Sequence, residues 1–577
     1  MNVAGWAQIA VFVALLTACA APLGHYMAKV FSGERVFMTR LVGPFERGVY
    51  RVLRTDPNRE SDWKGYARAV LLFSLAGWIL LYVILRTQSI HPFNPAGFHA
   101  GPWDLSFNTT TSFVTNTNWQ FYGGETTLSN FSQMAGLAVQ NFLSAATGIA
   151  VCIAVIRGFV SRSGSSLGNF WVDMVRSVLY LLLPIAVIGT LVLVSQGVVQ
   201  SLSAGTSFTS LEGVKHILTV GPVASQEVIK MLGTNGGGFF NVNSAMPFEN
   251  ATGFSNFVEM FLILVIPAAL TATFGSMAGN RRQGWMLFSA MAIMFIGAVV
   301  VVYAAEAHGS PAQHLAGIGG GNLEGKEQRF GIGSSSLFTA VTTVASCGAV
   351  NSAFDSLTGI GGVVPMANLM TGEVIFGGVG SGLYGMLLFV IMAVFIGGLM
   401  VGRTPELLGK KIGAREIKLT VIGTLAVPLA VLMATAVSLA TRYGRLSIFQ
   451  SGPQGFSETL YAYLSQASNN GSAFAGFTGF VQPNAPGNAG SFGITFADLL
   501  GSAALLIGRF MPIIAVLAVA GALANKRVAP AGPGTLRTAT PTFTVLLIAT
   551  VLLVALLNFV PALLLGPVVQ GLTNQVF

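Results

Sequence analysis

The sequence predicts an all-α polytopic membrane protein: ten transmembrane helices and four re-entrant pore segments in a fourfold pseudosymmetric, channel-like architecture of span, pore, span. Three observations carry that expectation. Of 577 residues, 53% are hydrophobic and only 9% charged, against about 25% charged in ordinary soluble domains. Ten apolar runs are long enough to cross a bilayer. Four short stretches rich in Gly, Asn, Ser and Thr interrupt them at similar intervals, and taking Asn116, Gly236, Gly348 and Gly471 as markers, the steps are 120, 112 and 123 residues. An internal fourfold repeat follows.

The elements run as follows. Val3 to Leu23 is apolar, lacks a basic leader, and suits a permanent span rather than a cleaved signal. Lys29 to Arg68 holds nine Lys or Arg, which places it in the cytoplasm and the N-terminus outside. Ala69 to Leu85 returns the chain outward. Further spans are expected at Met134 to Ile156, Val178 to Val194, Phe257 to Met277, Trp285 to Ala305, Met366 to Val401, Leu419 to Ala440, Phe496 to Leu523 and Phe543 to Leu565. The expected units are 1–66, an N-terminal span with a basic loop; 67–157, with a pore segment at 106–120; 171–278, pore 225–243; 285–402, pore 334–351; 419–525, pore 457–473; and a C-terminal span in 541–577.

Charge counting decides whether the pore segments cross or return. If all four return, 22 basic residues face the cytoplasm and seven lie outside; if all four cross, the numbers become 18 and 11, with the Arg403 to Lys418 cluster on the wrong face. Re-entrant segments fit better, and both termini then lie outside. The net charge of +9 reads as this side asymmetry rather than as affinity for nucleic acid. Cys19, Cys152 and Cys347 are far apart, and the six histidines include no HExxH, so no disulfide framework or zinc site is suggested.

The second interruption, GTNGGGFFNVN from Gly233 to Asn243, cannot be ordinary helix. Glycines and small polar residues at membrane depth leave peptide groups unpaired, which lipid tolerates only where the main chain lines a wet cavity or binds something. A cation path lined by carbonyls is the reading that chemistry favours. Short helices before each strand would aim their partially negative C-terminal ends at one point. Carbonyl rings favour K⁺ over a divalent ion, which would attract carboxylates. The alternative, glycines that let helices pack closely, expects them every fourth residue inside helices. Here they cluster.

Four motifs in order, TNTNWQ (Thr115 to Gln120), GTNGGGFFNVNSAMPFEN (Gly233 to Asn250), ASCGAVNSAF (Ala345 to Phe354) and SNNGSAFAGF (Ser468 to Phe477), resemble those of the potassium-binding A subunits of Kdp-type potassium-transporting ATPases, themselves similar to the Trk/Ktr/HKT superfamily. The resemblance covers essentially the whole chain. It implies a K⁺ filter formed by Thr115, Asn116, Thr117 and Asn118; Thr234, Asn235, Gly236 and Gly237; Ser346, Cys347, Gly348 and Ala349; and Ser468, Asn469, Asn470 and Gly471. Asn118 and Asn243 would add side-chain oxygens, and Gln120 would shape the entrance. None of the strands has the TVGYG sequence of ordinary potassium channels, which points to fewer ion positions than a four-site queue. The implied setting is a bacterial inner membrane.

A glycine-rich interruption inside the seventh expected span, Gly372 to Gly385, should unwind the helix below the filter. By the same resemblance it is a gate, with Gly377, Gly378, Gly380 and Gly382 its flexible points; a packing kink is the alternative. Its GxGxxG lacks the preceding strand that a dinucleotide site needs. Arg509 lies mid-span, where an arginine costs about 2.5 to 3.5 kcal/mol and so faces a bundle interior. It either limits cation leakage beneath the filter or pins carbonyls of the unwound span. The Walker-like GGNLEGKE, Gly320 to Glu327, has Glu327 where Ser or Thr should hold Mg²⁺, and no DKTGT phosphorylation motif occurs. The chain is therefore expected to be non-catalytic, with K⁺ as its bound substrate. The resemblance implies that ATP and Mg²⁺ would be used by a partner B subunit, with C and F subunits completing the complex.

Overall fold

A computed structural model describes residues 3–162, 164–203, 205–477, 489–530, 532 and 535–572. Residues 1–2 and 573–577 of the two terminal units, and 478–488 of the fourth repeat, lie outside the described residues. Among those described, ten helices are long and apolar enough to cross a membrane: Val3–Phe31, Trp63–Arg86, Ser132–Val160, Phe170–Ser195, Gly253–Met277, Arg281–Leu315, Ser381–Met400, Ala414–Ala440, Thr495–Ala524 and Pro541–Leu572. Four shorter helices, Trp103–Val114, Val223–Leu232, Gly331–Val344 and Gly452–Ala467, each lie between two of them. We call these pore helices 1 to 4.

Burial sorts the long helices into two rings. In the helix that follows each pore helix, the apolar stretch is 83%, 78%, 67% and 61% buried; in the helix that precedes it, 22%, 39%, 50% and 44%. Ser132–Val160, Gly253–Met277, Ser381–Met400 and Thr495–Ala524 therefore form the inside of the bundle. The first span lies against the fifth, where Gly24 leaves no room for a side chain beside the Ala269 carbonyl and Thr273 donates to the Gly24 carbonyl at 3.1 Å. Small residues here bring two main chains into contact, as membrane packing requires.

Helix starts are written locally. Asp62 accepts from Gly65 N at 2.8 Å to cap Trp63–Arg86, and Thr252 and Ser255 form a reciprocal capping box at Gly253–Met277. A fork of two bonds from Arg157 to Asp173, 2.6 and 2.8 Å, with Tyr66 donating to the same carboxylate at 2.9 Å, ties three spans together. Between the first two spans, the amphipathic helix Thr39–Val52 turns Glu46 inward to Arg176 and Tyr180. It leaves Leu41 and Phe45 exposed, the habit of a helix lying in a membrane interface. Among the described residues, strands form three two-stranded pieces, the longest pairing Thr206–Thr209 with Lys215–Leu218.

The seventh expected span is not one helix. It is split into Gly359–Met370 and Ser381–Met400, with a non-helical stretch across 371–380. Positive φ at Gly372, Glu373, Phe376 and Gly380 breaks the helical hydrogen-bond ladder there. Helix resumes at Ser381, so Gly382 and Gly385 belong to its first turns.

Candidate ion-binding site

Each pore helix ends in the same way. The capping residues Thr115, Gly233, Ala345 and Ser468 have φ of −83°, −81°, −88° and −85°. The next residues, Asn116, Thr234, Ser346 and Asn469, are left-handed at 68°, 49°, 50° and 52°. Two further on, Asn118, Gly236, Gly348 and Gly471 are left-handed again, at 56°, 67°, 84° and 101°. The residue between them donates its N–H to a carbonyl five positions back in every repeat: Thr117 to Ser112 at 2.9 Å, Asn235 to Lys230 at 2.8 Å, Cys347 to Thr342 at 2.9 Å and Asn470 to Ser465 at 2.8 Å. This fixes the equivalences. Alternating handedness brings successive peptide groups round to one side of a strand.

The register differs in detail from that read in the sequence. Asn118, not Asn116, is the first-repeat counterpart of the three glycines, and the four-residue turns of repeats 2 and 3 begin at Gly233 and Ala345. Asn tolerates the left-handed region, so the first strand keeps the conformation without a glycine.

The four strands meet in a closed ring. A side chain at Gly236 would collide with the carbonyl oxygen of Cys347, one at Gly348 with that of Asn470, and one at Gly471 with that of Thr117. The remaining side is closed by amides. Asn118 Nδ2 donates to Gly236 O at 2.7 Å, and Gln120 both accepts from Gly238 N at 2.9 Å and donates to Gly238 O at 3.2 Å. Repeats 1, 2, 3 and 4 are thus neighbours in cyclic order. Among the described residues, none donates a hydrogen bond to the carbonyl oxygens of Thr117, Asn235, Cys347 or Asn470. Buried carbonyls are almost always paired. A ring of four at one level, held by backbone contact, is therefore a place for something that supplies the missing positive partner.

Side chains brace the ring from behind. Asn116 Oδ1 accepts from Asn235 Nδ2 at 2.6 Å and from Ser144 Oγ at 2.8 Å, and Asn469 Nδ2 donates to Thr117 Oγ1 at 3.0 Å. Two expected filter groups are engaged elsewhere. The carbonyl of Gly237 accepts from Lys230 Nζ at 2.6 Å, and Asn243 Oδ1 lies 3.5 Å from the same ammonium. Neither oxygen is free, whereas Asn118 Oδ1 is buried with no hydrogen bond among the described residues. Lys230 itself is wholly buried on pore helix 2 between Glu227 and Glu249. The Glu227/Lys230 spacing of three on one helix face was the available signal.

Beneath the ring, the broken span rises to touch it. Val379 N donates to Thr234 Oγ1 at 2.8 Å, and Gly378 lies beside the same hydroxyl. Gly377 and Gly382 press together with no room for a side chain on either, and Gly380 abuts the Gly148 carbonyl. Arg509 Nη2 donates to Ser144 O at 3.3 Å. Its observed partner is thus the third span, not the carbonyls of the broken one. Gly508 beside it lies against the carbonyl of Ala467, the last residue of pore helix 4, which sets the guanidinium at the base of the ring. A cavity at this level is lined by Glu373, Ser381, Tyr384, Ser468, Asn469 and Asn558 together with apolar side chains such as Leu388 and Phe389. The Walker-like Lys326 is spent on a buried pair with Glu306 at 2.7 Å. Among the described residues no group of three or more His, Cys, Asp or Glu is placed to hold a metal.

Residues 10–572 match the family described as potassium-transporting ATPase A subunit. The chain belongs to that family. Among A subunits, the potassium-transporting ATPase potassium-binding subunit of Methylobacterium radiotolerans is 53% identical over 574 residues, covering 100% of this chain and 98% of its own length. That of Rhizobium rhizogenes is 52% identical over 573 residues, covering 99% of each. The A-subunit fold is also similar to the crystal structure of the potassium transporter TrkH from Vibrio parahaemolyticus, with a TM-score of 0.52 at 14% identity over 89% of this chain and 96% of that one. At that identity the likeness speaks for the fold alone.

Proposed function

We propose that this chain is the ion-selecting subunit of an ATP-driven potassium uptake complex, taking K⁺ from the outer side of a bacterial inner membrane. The observation that carries this reading is the closed ring with its four unpartnered carbonyls, from Thr117, Asn235, Cys347 and Asn470. Such oxygens replace a monovalent ion's hydration shell without full negative charge. The filter residues are those of the four turns, with Gln120 fastening the outer rim. The working units are the four repeats 67–157, 171–278, 285–402 and 419–525 between an N-terminal and a C-terminal span, with both termini outside.

The stretch 371–380 acts as the gate, with Gly377, Gly378 and Gly380 in it and Gly382 in the helical turn that packs on it, and Arg509 limits leakage at the ring's base. An ion leaving the ring enters the cavity past Ser468 and Asn469. ATP hydrolysis with Mg²⁺ belongs to a B subunit, and C and F subunits complete the assembly. The opposing reading is a transporter that works without an ATPase. Potassium flux through the purified chain alone in vesicles would establish that reading instead.

K⁺ titration of purified Gly236→Asp and Gly471→Asp variants tests the ring. Each places a carboxylate and a strained left-handed residue against a neighbouring carbonyl, and a loss of affinity of more than about tenfold is expected. Unaltered affinity in both would remove the ring from the ion path.

A further inference from the structure

Lys230 stands three residues before the capping residue of pore helix 2. Its counterparts in the other repeats, identified by the N–H···O bond each accepts, are Ser112, Thr342 and Ser465. Three quarters of the ring thus have a hydroxyl behind them, and one quarter has an ammonium. That ammonium is fully buried and touches three oxygens at 2.6 Å: Gly237 O, Glu249 Oε1 and Glu227 Oε2. Glu249 in turn accepts from Phe239 N at 3.0 Å and Phe240 N at 3.3 Å, and Glu227 accepts from Ser244 Oγ at 3.1 Å. The Lys230 carbonyl meanwhile accepts from Asn235 N at 2.8 Å and from Gly236 N at 3.3 Å. One residue therefore holds three consecutive strand residues, two by its main chain and the third by its side chain.

The other repeats lack the second grip. Ser465 Oγ accepts from Gly471 N at 2.9 Å and so holds an N–H instead of a carbonyl, the Ser112 hydroxyl has no hydrogen-bond partner among the described residues, and the Thr342 side chain faces the Cys347 thiol. Among the described residues, only in repeat 2 is the second carbonyl beyond the ring, that of Gly237, drawn back into the protein by a cation.

Resting on the reading of the ring as an ion site, we propose that Lys230 is a positioning residue for ion selectivity. Its ammonium holds the Gly237 carbonyl, two residues past the ring carbonyl of Asn235, away from the path, so that with Gly236 O already taken by Asn118 Nδ2 the ion-facing oxygens of repeat 2 end at the ring. By holding Gly237 it also steadies the adjoining Gly236, which the Lys230 main-chain carbonyl grips and whose contact with Cys347 sets the spacing between repeats 2 and 3. The flanking Glu227 and Glu249 hold the ammonium in place and neutralise it, so that a positive charge is sustained behind a cation site. A buried charge removed without its partner is strongly destabilising. The partner must therefore be changed with it.

The test uses the complete complex. K⁺-stimulated and Rb⁺-stimulated ATP hydrolysis is measured for the double variant Lys230→Met/Glu249→Gln and for Lys230→Arg, whose forked guanidinium cannot occupy a seat shaped for an ammonium. The ratio of KM for Rb⁺ to KM for K⁺ is expected to change by about tenfold in the double variant, the scale on which a charge-assisted hydrogen bond counts, with kcat retained. In Lys230→Arg it changes in the same direction by less. An unchanged ratio in either variant that assembles, or a fall in kcat alone, overturns the proposal. Gly471→Asp is the control: if it too leaves KM unchanged, the ring reading has failed, whereas a raised KM there with an unchanged ratio at Lys230 sinks this inference only.

Discussion

Arg509 shows what a single charge does in this fold. Its guanidinium reaches the Ser144 carbonyl, and Ser144 Oγ passes the contact on to Asn116, which holds Asn235. The chain of bonds runs from the base of the ring into two of its four strands. Arg509→Gln removes the positive charge and a charge-assisted bond worth ~1.5 to 3 kcal/mol. Passive K⁺ and Na⁺ leak through the assembled complex in vesicles without ATP should rise. Leak, transport and selectivity all equal to those of the parent protein would dismiss Arg509 as an electrostatic barrier. Its depth in an apolar run was readable from sequence, because charge at that depth is costly. Its partner was not, since Ser144 is 365 positions away.

Among the elements, the short hairpin Glu406–Leu407 with Lys410–Lys411 fastens the C-terminal end of the third span. Lys410 is buried, and its Nζ donates to Gly158 O at 2.9 Å, in the last turn of that helix. Cations are favoured at helix C-terminal ends, but burial dominates here and pulls the lysine down to about 8 from its ordinary 10.5. Between those values the unfolded hairpin binds more protons than the folded one, so folding strengthens as pH rises through that window. Hydrogen exchange across 404–412, expressed as opening free energy, should show increasing protection from about pH 8 upward. Lys410→Met should abolish the trend; if the trend survives in that variant, another group is responsible.

The pore segments were the most legible elements, because glycine and asparagine clustered at membrane depth leave few alternatives to irregular main chain. Their register was less legible. An asparagine does the work of a glycine in the first strand, and residue type alone does not distinguish Asn116 from Asn118, which are both left-handed. The broken span was visible in its glycines, although helix resumes at Ser381, earlier than the glycine run ends.

For the molecule as a whole, charge arithmetic assigned sides well enough to be tested. Asn58, in the basic segment, and Leu211, at the tip of the exposed hairpin, should lie on opposite faces. In a background with Cys19, Cys152 and Cys347 replaced by alanine, a membrane-impermeant maleimide added to intact cells should label Leu211→Cys and spare Asn58→Cys. Labelling in the reverse pattern would invert the topology. The charge arithmetic treats every basic residue alike and does not see that two carboxylates enclose Lys230. That the four strands converge was expected from the repeat, whereas the contacts that close the ring join strands more than a hundred residues apart and were not readable in it.

That closure has a genetic consequence. Where identical chains surround a pore, one codon change alters every corner at once, and a mildly damaging change is multiplied by the symmetry. Here each corner is encoded separately. Mutation can explore one of them while its three companions continue to work, and a feature as costly as a buried ammonium need be inherited only once.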